Sequence, residues 1–304
     1  MKVGMAGELL FFEWMSELKG RLSQLAPEIE WIHAPSAGAG QQLLIDADSC
    51  YPFKQMVRSS VSLLSDVDVL LAPRIIAMDG FLVCPNFRAL PDIVLMNRAR
   101  LGLNKETHVF TPVVDIDQGH QLEKLAAGIY RDMFGKDPMS CGEKNFSADG
   151  QSMAMKDRDL SKSIALIGHP YVLEDSCLNN GVPDILRLNG IDIVYAQWID
   201  FNELSNLAAS FDYYAKRLYW RSARELLGAF IYFSRIRPAA GIIHLAPFNC
   251  GIDALMRVEL TGLRKRMADA PPYMVVVCDE HTQRDHVVTR LEAFLDIVNG
   301  VKIK

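Results

Sequence analysis

The sequence predicts an α/β protein built as two doubly wound, Rossmann-like or flavodoxin-like domains with parallel sheets. Three observations carry this. Short apolar runs alternate with longer amphipathic ones, which is the pattern of βαβ units. One polar, aperiodic stretch rich in Gly, Ser and Asp, near 136–160, interrupts the alternation. The length of 304 residues is long for one compact core and comfortable for two.

In chain order, the expected first domain (1–140) opens with a strand at 2–6 and a helix at 11–25. A strand at 29–33 follows, stopped by Pro35 and Gly38, then a helix at 52–64 that starts just after Cys50. Val67 to Ala72 (V-D-V-L-L-A) reads as a strand, as does 109–114, and 118–134 reads as a helix. Residues 141–162 are read as a linker. In the second domain (163–304), strands are expected at 163–168, 191–195, 241–246 and 273–278. Helices are expected at 180–189, 211–235, 252–267 and 285–298, with Pro238 closing the long one.

Half of the residues are apolar and 23% are charged, which is ordinary globular composition. The net charge of −5 argues against nucleic acid or an anionic membrane as partner. No apolar run is long enough for a transmembrane helix, and Glu8 and Glu13 interrupt any signal-peptide core, so a cytoplasmic location is expected. Six cysteines (50, 84, 141, 177, 250, 278) should then be reduced thiols. None forms a C-x-x-C pair, which removes the zinc-ribbon and thioredoxin readings. On spacing alone, metal ligation and plain buried thiols both stay open.

Ligands of open parallel sheets sit beyond the carboxyl ends of the strands. His169-Pro170 follows the strand at 163–168, Phe248-Asn249-Cys250-Gly251 follows 241–246, and Asp279-Glu280-His281 follows 273–278. Arg74 follows 67–72, with Cys84-Pro85 a short loop further on. Cys50 and Cys250 each stand directly before a helix, whose N-terminus lowers a thiol pKa and suits an anion or anionic cluster. Glu280 with His281 has the composition of a general acid/base pair, the catalytic candidate; the same residues can instead hold their loop or hydrogen-bond cluster sulfurs. Tyr219-Trp220 and 230–233 are aromatic stripes suited to core or dimer packing.

Five ordered motifs carry a family resemblance: Cys50-Tyr51-Pro52-Phe53-Lys54; Cys84-Pro85 with Pro91-Asp92; Gly168-His169-Pro170-Tyr171 with Asp175 and Asn179-Asn180-Gly181-Val182-Pro183; Phe248-Asn249-Cys250-Gly251-Ile252-Asp253; and Asp279-Glu280-His281-Thr282 with Thr289-Arg290-Leu291-Glu292-Ala293-Phe294. The chain resembles the iron–sulfur components of the 2-hydroxyacyl-CoA dehydratase superfamily, especially its activase-associated branch, which is related to double-cubane-cluster proteins. His169 stands where the family motif has Arg, and Ile252 where it has Pro.

The resemblance implies a 4Fe–4S cluster on Cys50, Cys84 and Cys250, in the cleft between the domains, with His169, Asn249 and Gly251 around it. A double-cubane 8Fe–9S cluster is the alternative that all six thiols would allow. It further implies low-potential electron transfer or reduction of a small substrate, as an oxidoreductase or a dehydratase-like lyase component. The implied partners are an ATP-dependent activase and a second copy of the chain in a homodimer. A metal-free two-lobed small-molecule binding protein and a cluster carrier or maturation factor are the rival readings.

Overall fold

Residues 1–7, 12–34, 43–103, 106–116, 122–138, 155, 158–211 and 218–300 are described by the computed structural model of the chain. They sort into two compact units, Met1–Ser49 with Phe53–Ser147, and Cys50–Pro52 with Ala148–Lys304.

The first unit runs β1 (Lys2–Met5), α1 (Phe12–Leu25), β2 (Glu30–Ile32), α2 (Tyr51–Leu63), β3 (Val69–Leu71), β4 (Arg74–Met78), β5 (Phe81–Leu82), α3 (Pro85–Leu101), β6 (His108–Phe110), β7 (Val113–Ile116) and α4 (Leu122–Phe134). Its main sheet has the order β2-β1-β3-β6 with every pairing parallel. Met15, Leu18 and Leu22 lie on one face of α1, at the spacing a helix needs to bury a stripe, and all three are fully buried.

Two prolines reshape this unit beyond the sequence reading. The single strand expected at 109–114 is two strands, β6 and β7, parted at Thr111-Pro112. In the same way β3 passes through Ala72-Pro73 into β4. Proline has no N–H to give the ladder, so each strand breaks there. The ladder resumes with Arg74 N donating to Pro112 O at 2.8 Å. β4, β5 and β7 thereby form a small second sheet, order β5-β4-β7, containing the antiparallel β4–β5 hairpin. α3 is a further element that the sequence reading leaves unassigned. Pro91 lies within it, while Pro85 starts it and Gly102, at φ 59°, ends it.

The second unit contains β8 (Ile164–Gly168), α5 (Pro170–Glu174), α6 (Val182–Leu188), β9 (Ile193–Tyr195), α7 (Phe201–Ala209), α8 (Arg221–Ile231), β10 (Gly241–Pro247), α9 (Gly251–Arg266), β11 (Tyr273–Cys278) and α10 (Arg284–Val298). The order β11-β10-β8-β9 is again all parallel. β8 and β10 are buried along their whole length, and apolar apart from His244, as expected for central strands covered on both faces.

The helix expected at 211–235 begins only at Arg221 and closes in a π-helical turn, Tyr232–Ile236. Part of the expected span, 212–217, lies outside the described residues. A separate helix, α7, precedes it, and the Asp200 carboxylate caps it by accepting from the backbone N–H of Asn202 and Glu203. α7 and α8 approach so closely that a β-carbon built on Gly228 would lie 2.1 Å from Leu204 O. Most of the stretch 141–162 lies outside the described residues, Cys141 included; at its end Met155 and Leu160 are buried in the second unit's core. Among the described residues, no helix is long and apolar enough to cross a membrane.

Candidate functional site

Each main sheet has its topological switch point between its first and third strands in chain order, and a ligand crevice forms at the carboxyl ends there. In the second unit those strands are β8 and β10. Their ends come very close: a β-carbon on Gly168 would stand 2.8 Å from Leu245 O. β8 delivers His169, which precedes α5, with Pro170 at the start of that helix. β10 delivers Phe248, Asn249 and Cys250. Asn249 takes the left-handed conformation at φ 59°, turning the chain so that Cys250 caps α9.

The side chains that meet here are buried and polar. Cys250 Sγ lies 3.6 Å from His169 Nε2. The same Nε2 lies 2.5 Å from Asp253 Oδ2, and Asp253 and His169 are 0% and 5% exposed. Asp253 Oδ1 lies 2.6 Å from His244 Nε2, and His244 Nδ1 lies 2.9 Å from the Tyr273 hydroxyl. The His169 ring is also stacked on Tyr171, with centroids 5.0 Å apart. Burial works against charge on His169, but the adjacent Asp253 carboxylate outweighs it and holds the imidazole pKa well above its ordinary value. Burial likewise disfavours the Asp253 carboxylate, and the two histidines outweigh it, holding the group well below the usual carboxylate range. The approach of Nε2 to Oδ2 is short but off the N–H line, and Oδ2 has no aligned hydrogen-bond donor. The coordinating atoms of His169, Cys250 and Asp253 all fall within 4.8 Å of one another.

The three expected cluster cysteines share one local setting: Cys50 precedes α2, Cys84 caps α3 and Cys250 caps α9. Cys50 and Cys250 are 5% and 8% exposed. The tripeptide Cys50–Pro52 belongs to the second unit, where Tyr51 N donates to Phe248 O at 3.2 Å and Tyr51 Oη to Cys177 O at 3.3 Å. The loop of Cys50 is thus tied to the loop of Cys250. Cys84 belongs to the first unit. There Arg74 grips Asp92 with two hydrogen bonds, 2.8 and 2.6 Å, and donates to Arg88 O.

Of the other expected residues, Asn249 and Gly251 lie on the exposed turn into α9, and a β-carbon on Gly251 would meet nothing within 4 Å. The His281 side chain is 84% exposed, its Nε2 3.9 Å from Glu280 Oε1. Asp279, just before them, is fixed by Asn180, which donates to its carbonyl and accepts from its N–H. Cys278 is a core thiol whose pKa is pushed up to about 12, by burial first and then by the charge of Asp253. Cys177 is exposed. The sequence reading misses Asp253, His244 and Tyr273 as members of the site. The signals for them were a histidine inside an otherwise apolar strand (G-I-I-H-L-A-P) and a carboxylate three residues after Cys250.

Residues 3–199 match the sequence profile of the CoA enzyme activase uncharacterised domain. Cys50, Cys84 and His169 fall inside this stretch and Cys250 outside it. No curated protein matches the chain. Among solved structures, an ABC transporter solute binding protein from Agrobacterium vitis with bound allitol is 12% identical, over 95% of this chain and 98% of that one. Its TM-score of 0.23 gives the likeness no weight for fold or ligand.

Proposed function

Because the chain belongs to the CoA enzyme activase uncharacterised domain family, we propose that it is a cytoplasmic iron–sulfur protein that works with an ATP-hydrolysing activase. In this reading the thiolates of Cys50, Cys84 and Cys250 hold a 4Fe–4S cluster, and a second copy of the chain completes a homodimer. The observation that carries the reading is the common placement of the three thiols, each immediately before a helix. Backbone N–H groups and the helix dipole there favour an anionic sulfur and an anionic cluster. The donor set fits: thiolates are the usual ligands of such clusters, and the Tyr51 N–Phe248 O bond keeps the loops of Cys50 and Cys250 together.

The chain's own residues have distinct tasks. Asn249 turns the backbone to present Cys250. Gly251, with open space where a β-carbon would stand, leaves room beside the helix N-terminus. When bound, the cluster supplies low-potential one-electron chemistry, with an open iron where only three thiolates ligate. In this reading Glu280 and His281 meet a substrate or the activase, at a turn where the His281 side chain is 84% exposed.

Iron and sulfide analysis with a visible spectrum on anaerobically reconstituted protein tests this. The wild type should bind about four irons. Cys50→Ser, Cys84→Ser and Cys250→Ser should each lose most of the iron, while Cys278→Ser should keep it. A wild type without iron would remove the reading in favour of a metal-free binding protein.

A further inference from the structure

Behind the Cys250 sulfur runs a line of buried polar side chains drawn from four elements. It passes from Cys250 to His169 (3.6 Å), to Asp253 (2.5 Å), to His244 (2.6 Å) and to the Tyr273 hydroxyl (2.9 Å). Polar groups in a core are costly unless partnered. Here the partners follow one another to the sulfur, and only Asp253 Oδ2 lacks an aligned donor. A proton on His169 Nε2, in a neutral or a charged ring, meets two acceptors. It misses the line to Oδ2, and the sulfur is the other acceptor within reach. The 3.6 Å separation suits an N–H···S hydrogen bond. It does not suit two ligands on separate irons of one cube, whose coordinating atoms stand further apart. The stack on Tyr171 and the Asp253 carboxylate fix the ring in this pose.

We propose that His169 is a positioning residue for Cys250: its Nε2–H donates to the Cys250 sulfur, and the Asp253–His244–Tyr273 line holds the imidazole there. The contact itself stands on the geometry of the second unit. Its redox consequence rests on the cluster reading above: a donor to a ligating sulfur stabilises the reduced, more negative state and raises the potential.

Two arms test this on the full-length chain. In the first, reconstituted wild type, His169→Phe, His169→Gln and Asp253→Asn are titrated against redox mediators and followed by visible and EPR spectra. His169→Phe keeps a ring and removes the donor. At a given potential its reduced-to-oxidised ratio should fall about tenfold, a shift of about 59 mV for a one-electron couple. His169→Gln, which restores an N–H at similar reach, should recover most of this, and Asp253→Asn should shift less in the same direction. A His169→Phe protein with full iron and an unchanged potential would overturn the proposal.

In the second arm, metal-free protein is alkylated with iodoacetamide and labelling at Cys250 is read by peptide mass spectrometry. A donor to sulfur favours the nucleophilic thiolate, so His169→Phe should slow alkylation about tenfold and His169→Gln should restore it. Faster alkylation in His169→Phe, the result of simple loosening, would overturn the proposal. A wild type that takes up no iron, together with slowed alkylation in His169→Phe, would sink the cluster reading and support the His169–Cys250 contact.

Discussion

Both units have the same strand order, with the first two strands in the chain on one side of the switch point and the last two on the other. They differ in what that architecture carries. In the second unit the switch point opens on Asp253, 0% exposed and set between two histidines. In the first unit the strand after the corresponding position carries Arg74, whose carboxylate partner Asp92 has a side chain 55% exposed. Topology decides where polar side chains collect, and burial decides what they are worth. An exposed ion pair is screened by water and contributes little. A buried one exchanges hydration for a few fixed partners, so losing a partner is severe.

The comparison is broken most directly at Asp253. Asp253→Ala leaves His169 buried without its neighbouring carboxylate and His244 without its hydrogen-bond partner, and unfolding free energy measured in urea should drop by about 3–5 kcal/mol. A loss below about 1 kcal/mol would mean that water relieves the site and the contrast between the units is false. Next in size is Gly228→Ala. The added carbon meets the Leu204 backbone, which cannot swing aside as a side chain would. A loss of about 1–3 kcal/mol or more is expected in the same assay, and an unchanged midpoint would show that α7 and α8 are free to part. Tyr273→Phe removes the end of the buried line, leaving His244 Nδ1 without its partner, and should cost about 1 kcal/mol.

The smallest effect belongs to the first unit. Asp92→Asn should cost under about 1 kcal/mol, given the exposure of the pair. Its pH dependence has a definite sign. The hydrogen bonds from Arg74, followed by opposing desolvation, leave the Asp92 pKa below its ordinary value. The contribution is therefore complete above the unfolded carboxyl value of about 3.9 and is lost as pH falls through the folded value. Comparing wild-type and Asp92→Asn stability from pH 6 to 3 should show the difference shrinking on acidification. A difference that grows instead would assign the shift to another group.

Much of the fold is legible because strands and helices announce themselves by local period. The strand at 273–278 is found where Y-M-V-V-V-C places it, and β10 differs from its expected span by one residue. Errors fall where local pattern and local chemistry disagree. Pro112 splits the run expected as one strand at 109–114, Pro91 sits inside a real helix, and 211–235 reads as one helix although α8 begins at Arg221. The positions of Cys50 and Cys250 before helices are legible from the apolar pattern that follows them. Cys84 before α3 is not, because Pro91 disguises that helix.

By itself, then, the sequence determined the α/β class, the parallel strands and the two cysteines at helix starts, since each depends on residues within a turn or two of one another. Only the tertiary structure decided which charges are buried and with whom. His169, His244, Asp253 and Tyr273 come from four elements, and no period in the chain records their meeting. It also turned the side chain of His281, a member of the fifth motif, outward to solvent. The physical reason is that hydrophobic periodicity is a local property, whereas the worth of a charge depends on everything packed around it.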